Sequence, residues 1–358
     1  MRKTFLLTLG MSATIIAQHP QVKLGSLKPK SEEFNFPVVT FASKPKVAEK
    51  INTYLQVIDL EYIPGSSGNP NRIATTGGIS DHYKTYFYKY KKLDSPKNVL
   101  SLEIDGENKL NYSDPFTDWK NFDLRTGNYI TARDLFDDEN ALLIENRINK
   151  EVQQKILDYI TELRSDENKA QEKSEVIRLY KACIEFSEKV NLEKEKFYFD
   201  KNNLVFVRSK CSSSSMRHLD ELGDIKIPIS YNEIDSHLNL FGKSLFSKQE
   251  KIVYQSRNNN KIYLGKLDQR YPIKVIFNNG DGSNNTNAIY WYENKKQPLF
   301  WKGNLIENHL SLEEFNTQIE NQWDPIATIE ADIKGKKITG SWKDFKTKKI
   351  LPLELEEL

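Results

Sequence analysis

At 358 residues the chain exceeds one typical hydrophobic core and predicts two domains. Apolar residues at 38%, with 18 Phe, 17 Tyr and 5 Trp, can fill such cores and exclude broad disorder or a collagen-like chain. Lys and Arg number 52 against 50 Asp and Glu, so no bulk positive field exists and nucleic acid is excluded as the expected partner.

Arg2 and Lys3 precede the apolar run Phe5-Leu6-Leu7-Thr8-Leu9, which continues through Ile15-Ile16 to the small residue Ala17. That order is the layout of a secretory signal peptide over residues 1–17. The apolar part is about a dozen residues, short of the roughly 20 that span a bilayer, so the expectation is a cleaved leader and a secreted or periplasmic protein, not a membrane-spanning one. Residues 18–33, polar and punctuated by Pro20 and Pro29, are expected to form a mobile leader.

Residues 34–248 read as one α+β domain. Phe36-Pro37-Val38-Val39-Thr40-Phe41 has strand character, and Val47, Ala48, Ile51, Leu55 and Ile58 follow at helical spacing. Segments 83–90, 99–105 and 119–124 alternate or run apolar at strand length between Pro, Gly and Asn, predicting an antiparallel sheet. Residues 123–128 are expected to make a hairpin, and Thr131 and Asp134 to cap the helix that follows. Ile144, Ile148, Val152, Ile156, Ile160 and Leu163 then lie on one face of a long helix, which must pack on the sheet. A second helical stretch, 175–190, is dense in Lys and Glu, which read as its solvated side. Strands return at 197–199, 204–207 and 224–229, and 231–241 is again compatible with helix.

Residues 249–358 differ in texture. Short apolar runs recur near 262–264, 273–277, 288–292, 299–303, 309–314, 327–333, 338–342 and 350–355. Near-regular strands of this kind predict an all-β barrel-like or sandwich domain. Thr339-Gly340-Ser341-Trp342 resembles the strand ends of avidin-like or lipocalin-like barrels.

The string from Phe122-Asp123-Leu124-Arg125-Thr126-Gly127-Asn128-Tyr129-Ile130-Thr131 to Phe136, followed by a long helix, then Phe197-Tyr198-Phe199-Asp200 and Ile227-Pro228-Ile229-Ser230-Tyr231, resembles the RsiV-like extracellular domain family. The resemblance covers residues 34–246. It implies an α+β fold outside the membrane, which binds lysozyme in an anti-sigma factor and accompanies a separate catalytic domain in a peptidoglycan deacetylase. It assigns no catalytic residues. The chain departs from the family at 207–220, where a Ser-rich loop replaces a Pro-Tyr-Ala-Ala-Gly type of segment.

Chemistry-bearing motifs are sparse. The five His are dispersed, with no HExxH, no CxxC and no Gly-rich phosphate loop, so no cofactor, metal site or catalytic residue is expected. Asp281, Ser283, Asn285 and Asn287 alternate like calcium ligands, but Tyr292 stands where an EF-hand loop needs Glu, and a plain hairpin is favoured. Glu313 and Glu314 are strand neighbours on opposite faces and cannot act as a pair. Cys183 and Cys211 either form one disulfide or remain two thiols, because spacing does not fix the Cα distance that a bridge needs.

Two surfaces are candidates for binding. Arg208, Lys210, Arg217 and His218 make the 208–218 loop the best anionic-ligand patch, against the alternative of a flexible solvated loop. Trp291 and Trp301 belong to an aromatic surplus with Tyr290, Tyr292, Phe300, Trp323 and Trp342 that either fills the core or forms an exposed contact platform. The expected function is non-enzymatic recognition of an envelope ligand, a lysozyme-like protein or a cell-wall glycan (peptidoglycan). The alternatives are a hydrolase on envelope polymers and a structural envelope protein, and the oligomeric state is left open.

Overall fold

The computed structural model describes residues 22–70, 84–109, 113–165, 167–186, 189–247, 252–255, 260–278, 285–315 and 324–358. The expected signal peptide, Asp281, Ser283 and Trp323 lie outside them. Strands β1 (Lys23–Ser26) and β2 (Pro37–Thr40) pair antiparallel. The leader expected to be mobile therefore contains a strand, held because Val22, Leu24 and Leu27 pack on the adjoining core. Helix α1 (Pro45–Leu60) starts on Pro45, whose fixed φ suits a first helical turn, and buries Ala48, Ile51, Tyr54 and Leu55.

Strands β3 (Lys84–Lys92), β4 (Val99–Lys109) and β5 (Ser113–Asp123) form an antiparallel meander. Thr131 and Asp134 close a capping box on a 3-10 turn at Ala132–Leu135, while Asp137 caps the long helix α2 (Asp138–Arg164). The expected cap thus sits one turn earlier than the helix it was assigned to. Helix α2 buries Ile144, Ile148, Val152, Ile156, Ile160 and Leu163, the anticipated stripe. That stripe shares a core with α4 (Ser174–Phe186), which follows the short α3 (Glu167–Glu172). The same core takes in a second antiparallel sheet of β6 (Lys196–Phe199), β7 (Asn203–Arg208) and β8 (Ile225–Ser230). Short helices α5 (Tyr231–Ile234) and α6 (Leu240–Phe246) end this half.

The C-terminal half is a closed antiparallel barrel of β9 (Ile262–Leu267), β10 (Tyr271–Asn278), β11 (Asn285–Tyr292), β12 (Leu299–Ile306), β13 (His309–Phe315), β14 (Pro325–Lys334), β15 (Lys337–Asp344) and β16 (Ile350–Glu357). Pairing of β16 with β9 closes it. The fold is thus α+β followed by an eight-stranded β-barrel. Residues alternate between lumen and exterior, and Gly340 faces inward opposite Ala331. A Cβ at Gly340 would lie 2.1 Å from the Glu330 carbonyl oxygen, so only glycine lets β14 and β15 curl this tightly.

The two halves share a core. Ile262, Ile276 and Trp291, on the outer barrel wall, join the cluster built around α1. Polar contacts flank it: Lys261 pairs with Glu357 at 3.0 Å, Asn128 donates to Glu357 at 3.2 Å and Tyr54 donates to Asn260 at 3.1 Å. Among the described residues no helix is long and apolar enough to cross a membrane.

Candidate functional site

The 208–220 segment is not the flexible loop its serines suggest. Cys211 is disulfide-bonded to Cys183 on α4, with the Cα atoms 5.5 Å apart. Tyr180, also on α4, donates from its hydroxyl to Asp220 at 2.7 Å and accepts from the Leu222 N–H at 2.7 Å. The other Asp220 oxygen accepts from the Ser212 N–H at 2.8 Å, and residues Ser214–Leu219 wind into a 3-10 turn. A covalent bond and a buried phenol therefore fix a segment that composition alone would leave free.

Fixing the loop sets the partners of its basic groups. The Arg217 guanidinium lies 2.6 Å from Asp114 and His218 is exposed; neither lines the two grooves described next. Arg217 and Lys210 meet at Asp114 and the Pro115 carbonyl beside the β4–β5 turn, while Arg208 pairs with Glu195. Lys210 lies between, 3.8 Å from Asp114 and donating to the Pro115 carbonyl at 3.4 Å. Burial, and then the neighbouring Arg217, hold its amine below the ordinary lysine range.

Arg208 and Lys210 do line a cleft of about 360 Å³ with Lys189, Lys194 and Lys196. Its one carboxyl is Glu195, 3.6 Å from Arg208 and with a side chain only 6% exposed. Burial pushes that carboxyl up to about 7 although Arg208 pulls it back. Near neutral pH the cleft is thus cationic, with five basic side chains against one carboxyl whose charged form burial disfavours. A second groove of about 550 Å³ shares Lys196, Ser209 and Lys210 with the first, making one trench. Phe87 and Phe116 line it together with Asp105, Glu107, Asp114 and Asp224, so its carboxylates outnumber its two lysines, and Phe116 lies over Gly106 on the facing strand.

Sequence reasoning missed Lys189 by reading the Lys- and Glu-dense side of 175–190 as solvated, and it assigned nothing to Lys194, Glu195 and Lys196. Burial of Glu195 beside Arg208 depends on β6 pairing with β7, which no local spacing reveals.

Neither tryptophan singled out is a surface platform. Trp291, 3% exposed, is covered by the α1 core, and Trp301, 1% exposed, points into the barrel. Core filling claims both because β11 and β12 turn alternate residues to two buried faces. Glu313 is exposed and Glu314 buried, the opposite-face arrangement expected. Among the described residues no group of His, Cys, Asp and Glu gathers as a metal site.

No protein-family model and no curated protein sequence matches the chain. Solved structures similar to it are DUF3298 family proteins. One from Bacteroides fragilis is 14% identical, with a TM-score of 0.38 over 65% of this chain and 96% of its own. Another, from Pseudomonas aeruginosa PAO1, is 12% identical, with a TM-score of 0.37 over 64% of this chain and 95% of its own.

Proposed function

We propose that the protein is a non-enzymatic recognition component of the cell envelope, exported through residues 1–17, and that its trench takes an anionic cell-wall glycan. One observation carries this reading: Lys189, Lys194, Lys196, Arg208 and Lys210 line one cleft, where the anionic group would sit, and the adjoining groove, lined by Phe87, Phe116 and four carboxylates, would take uncharged sugar rings. Converging cations attract carboxylate or phosphate groups, and ring faces accept the apolar side of a sugar. A trench suits a chain of sugar rings better than a globular partner such as a lysozyme-like protein, which needs a broad surface on the order of 800 Å² per side. The resemblance of residues 34–246 to the RsiV-like extracellular domain supports an extracytoplasmic setting, and we assign the α+β half to that family on this ground.

The test is calorimetric titration of the full chain with solubilised peptidoglycan and, separately, with lysozyme. Peptidoglycan should bind, more weakly as salt rises, and Lys194→Glu with Lys196→Glu should abolish binding. Binding that survives the double charge reversal, or binding to lysozyme alone, refutes the glycan reading.

A second reading, a hydrolase on envelope polymers, draws on Glu195, because a carboxyl near 7 is suited to general acid–base work. Release of reducing ends from peptidoglycan by the wild type and none by Glu195→Gln would establish it in place of recognition.

A further inference from the structure

The chain that enters the cationic cleft is held in place before it gets there. Ahead of β6 it lies on α2, where the Val190 N–H donates to the Asn149 side chain at 3.0 Å and the Leu192 N–H to the Glu145 carboxylate at 2.9 Å. Val190 and Leu192 are themselves buried in the core. The Asn191 carbonyl then accepts from the N–H groups of Lys194 and Glu195, both at 3.0 Å, closing a turn that leads into β6 at Lys196. This anchoring sets Lys189, Lys194 and Lys196 around one opening and lays Glu195 against Arg208.

Arg208, on β7, brings the guanidinium of the cleft, 3.6 Å from a Glu195 carboxylate oxygen. The side chains are 23% and 6% exposed, so the acid is the deeper of the two. A guanidinium is a planar fork of donors that fits a carboxylate, and here Glu195 holds that position. Burial above all opposes the charge on Glu195, Arg208 and then Lys196 favour it, and Glu145 on α2 opposes it. Glu193, two residues on from Asn191, lies near Arg133 instead, at 4.0 Å. A second carboxylate arriving in the cleft adds a like charge and disfavours the ionised acid further.

We propose that Glu195 is a proton-coupled positioning residue of the trench: a carboxylate of the bound glycan takes its place on Arg208, and Glu195 takes a proton from solvent as it yields. This rests on the reading of the trench as a glycan site and adds its regulation. Glu195 itself names the ligand group, since the fork of Arg208 already holds a carboxylate. With Glu195 ionised, an incoming carboxylate meets a like charge beside the same guanidinium. With Glu195 neutral, Lys189, Lys194, Lys196, Arg208 and Lys210 face the ligand with no opposing charge in the cleft. The neutral carboxyl also gains an O–H that can donate to a ligand oxygen. The cleft therefore holds its ligand more tightly in mild acid and releases it as the pH rises.

The experiment is calorimetric titration of the full chain with trigalacturonate at pH 6 and pH 8, at constant low ionic strength, in buffers of different ionisation enthalpy so that protons taken up are counted. The carboxylates of this probe stay charged throughout, so any pH dependence belongs to the protein. The wild type should bind about tenfold more weakly at pH 8 than at pH 6 and take up about one proton per ligand at pH 8. Glu195→Gln should bind equally at both and take up none. Burial also lowers the Lys210 amine, whose deprotonation would weaken binding in the same direction, but that effect would persist in Glu195→Gln. Equal wild-type affinity at the two pH values, no proton uptake, a Glu195→Gln that keeps the wild-type slope, or no binding at pH 6 overturns the proposal. The proton count needs no variant, so it decides the matter even if Glu195→Gln fails to fold. Lys194→Glu with Lys196→Glu reads the glycan assignment separately: peptidoglycan binding lost in that variant keeps the trench as the glycan site even where Glu195 plays no part, and binding retained removes site and coupling together.

Discussion

The two halves of the molecule bury polar groups by opposite means. In the α+β half, Lys120 on β5 lies 2.7 Å from Asp59 of α1 and 2.9 Å from Asp118, and Arg125 pairs with Asp123 at 2.8 Å, both side chains almost wholly buried. Burial lifts the Asp59 carboxyl and Lys120 draws it back; burial likewise weighs against the Lys120 ammonium, but its two carboxylates hold it charged. In the barrel, Glu314 has no cation among its neighbours and is held by indole and phenol donors. The open sheet must fix where a helix end meets a strand, and an Asp–Lys–Asp bridge does so. A closed barrel has its register set by closure, so Glu314 is not needed to fix it.

This contrast predicts unequal costs. Lys120→Ala leaves two partly buried carboxylates facing each other without their cation and should lower stability by about 3–5 kcal/mol in urea denaturation. Glu314→Gln, which removes charge and one acceptor oxygen but keeps the size and the other acceptor, should cost about 1–2 kcal/mol. Equal losses would erase the distinction. Next in size is the joint change Cys183→Ser and Cys211→Ser. It frees a loop of 28-residue separation in the α+β half alone and should cost about 2–4 kcal/mol by the same measurement.

The sequence made local pattern legible and left closure illegible. The stripe from Ile144 to Leu163 and all eight barrel strands stand out, because each depends on spacing within one element. The β16–β9 pairing that makes a barrel of those strands joins the ends of a long stretch, and no local signal encodes it. Trp291 shows the limit at one residue. Alternation puts it on the face opposite Tyr290 and Tyr292, but its burial comes from α1, more than two hundred positions earlier. The trench was half legible: Arg208 and Lys210 stood out in an unusual loop, whereas Lys194 and Lys196 belong to no motif or periodic pattern.

The buried acid of the trench gives the α+β half a pH signature that can be set against the barrel. Glu195 has a folded-state pKa of about 7 against an ordinary value of 4.5. Below 4.5 the group is protonated whether the chain is folded or not and contributes nothing. As pH rises from 4.5 to 7 the unfolded chain releases the proton first, so stability falls, by on the order of 3 kcal/mol, and is flat above. Denaturation curves across this window should show the decline in the wild type and lack this contribution in Glu195→Gln. A variant with the same slope as the wild type would mean that Glu195 is solvated and that the cleft is open to water at its base.

Backbone crowding sharpens the comparison at the smallest scale. Gly340 takes a strand conformation, but a methyl there meets the Glu330 carbonyl oxygen at 2.1 Å and the Ala331 Cα and Cβ at 2.5 Å. Those are the atoms of a paired strand in a closed ring, so relief requires β14 and β15 to separate against the other strand pairs. Gly340→Ala should therefore cost about 1–3 kcal/mol, as overpacked cores do. Gly223, in the trench wall, presents the reverse case: its φ is +61°, yet nothing lies within 4 Å of the added methyl. Gly223→Ala meets only the left-handed backbone preference, roughly 1–2 kcal/mol, and an open loop can relax part of it. Thermal melts of the two variants should rank Gly340→Ala as the larger loss. If Gly223→Ala costs more, tension resides in the disulfide-tied loop and not in the closed barrel, and the two halves exchange places in the comparison.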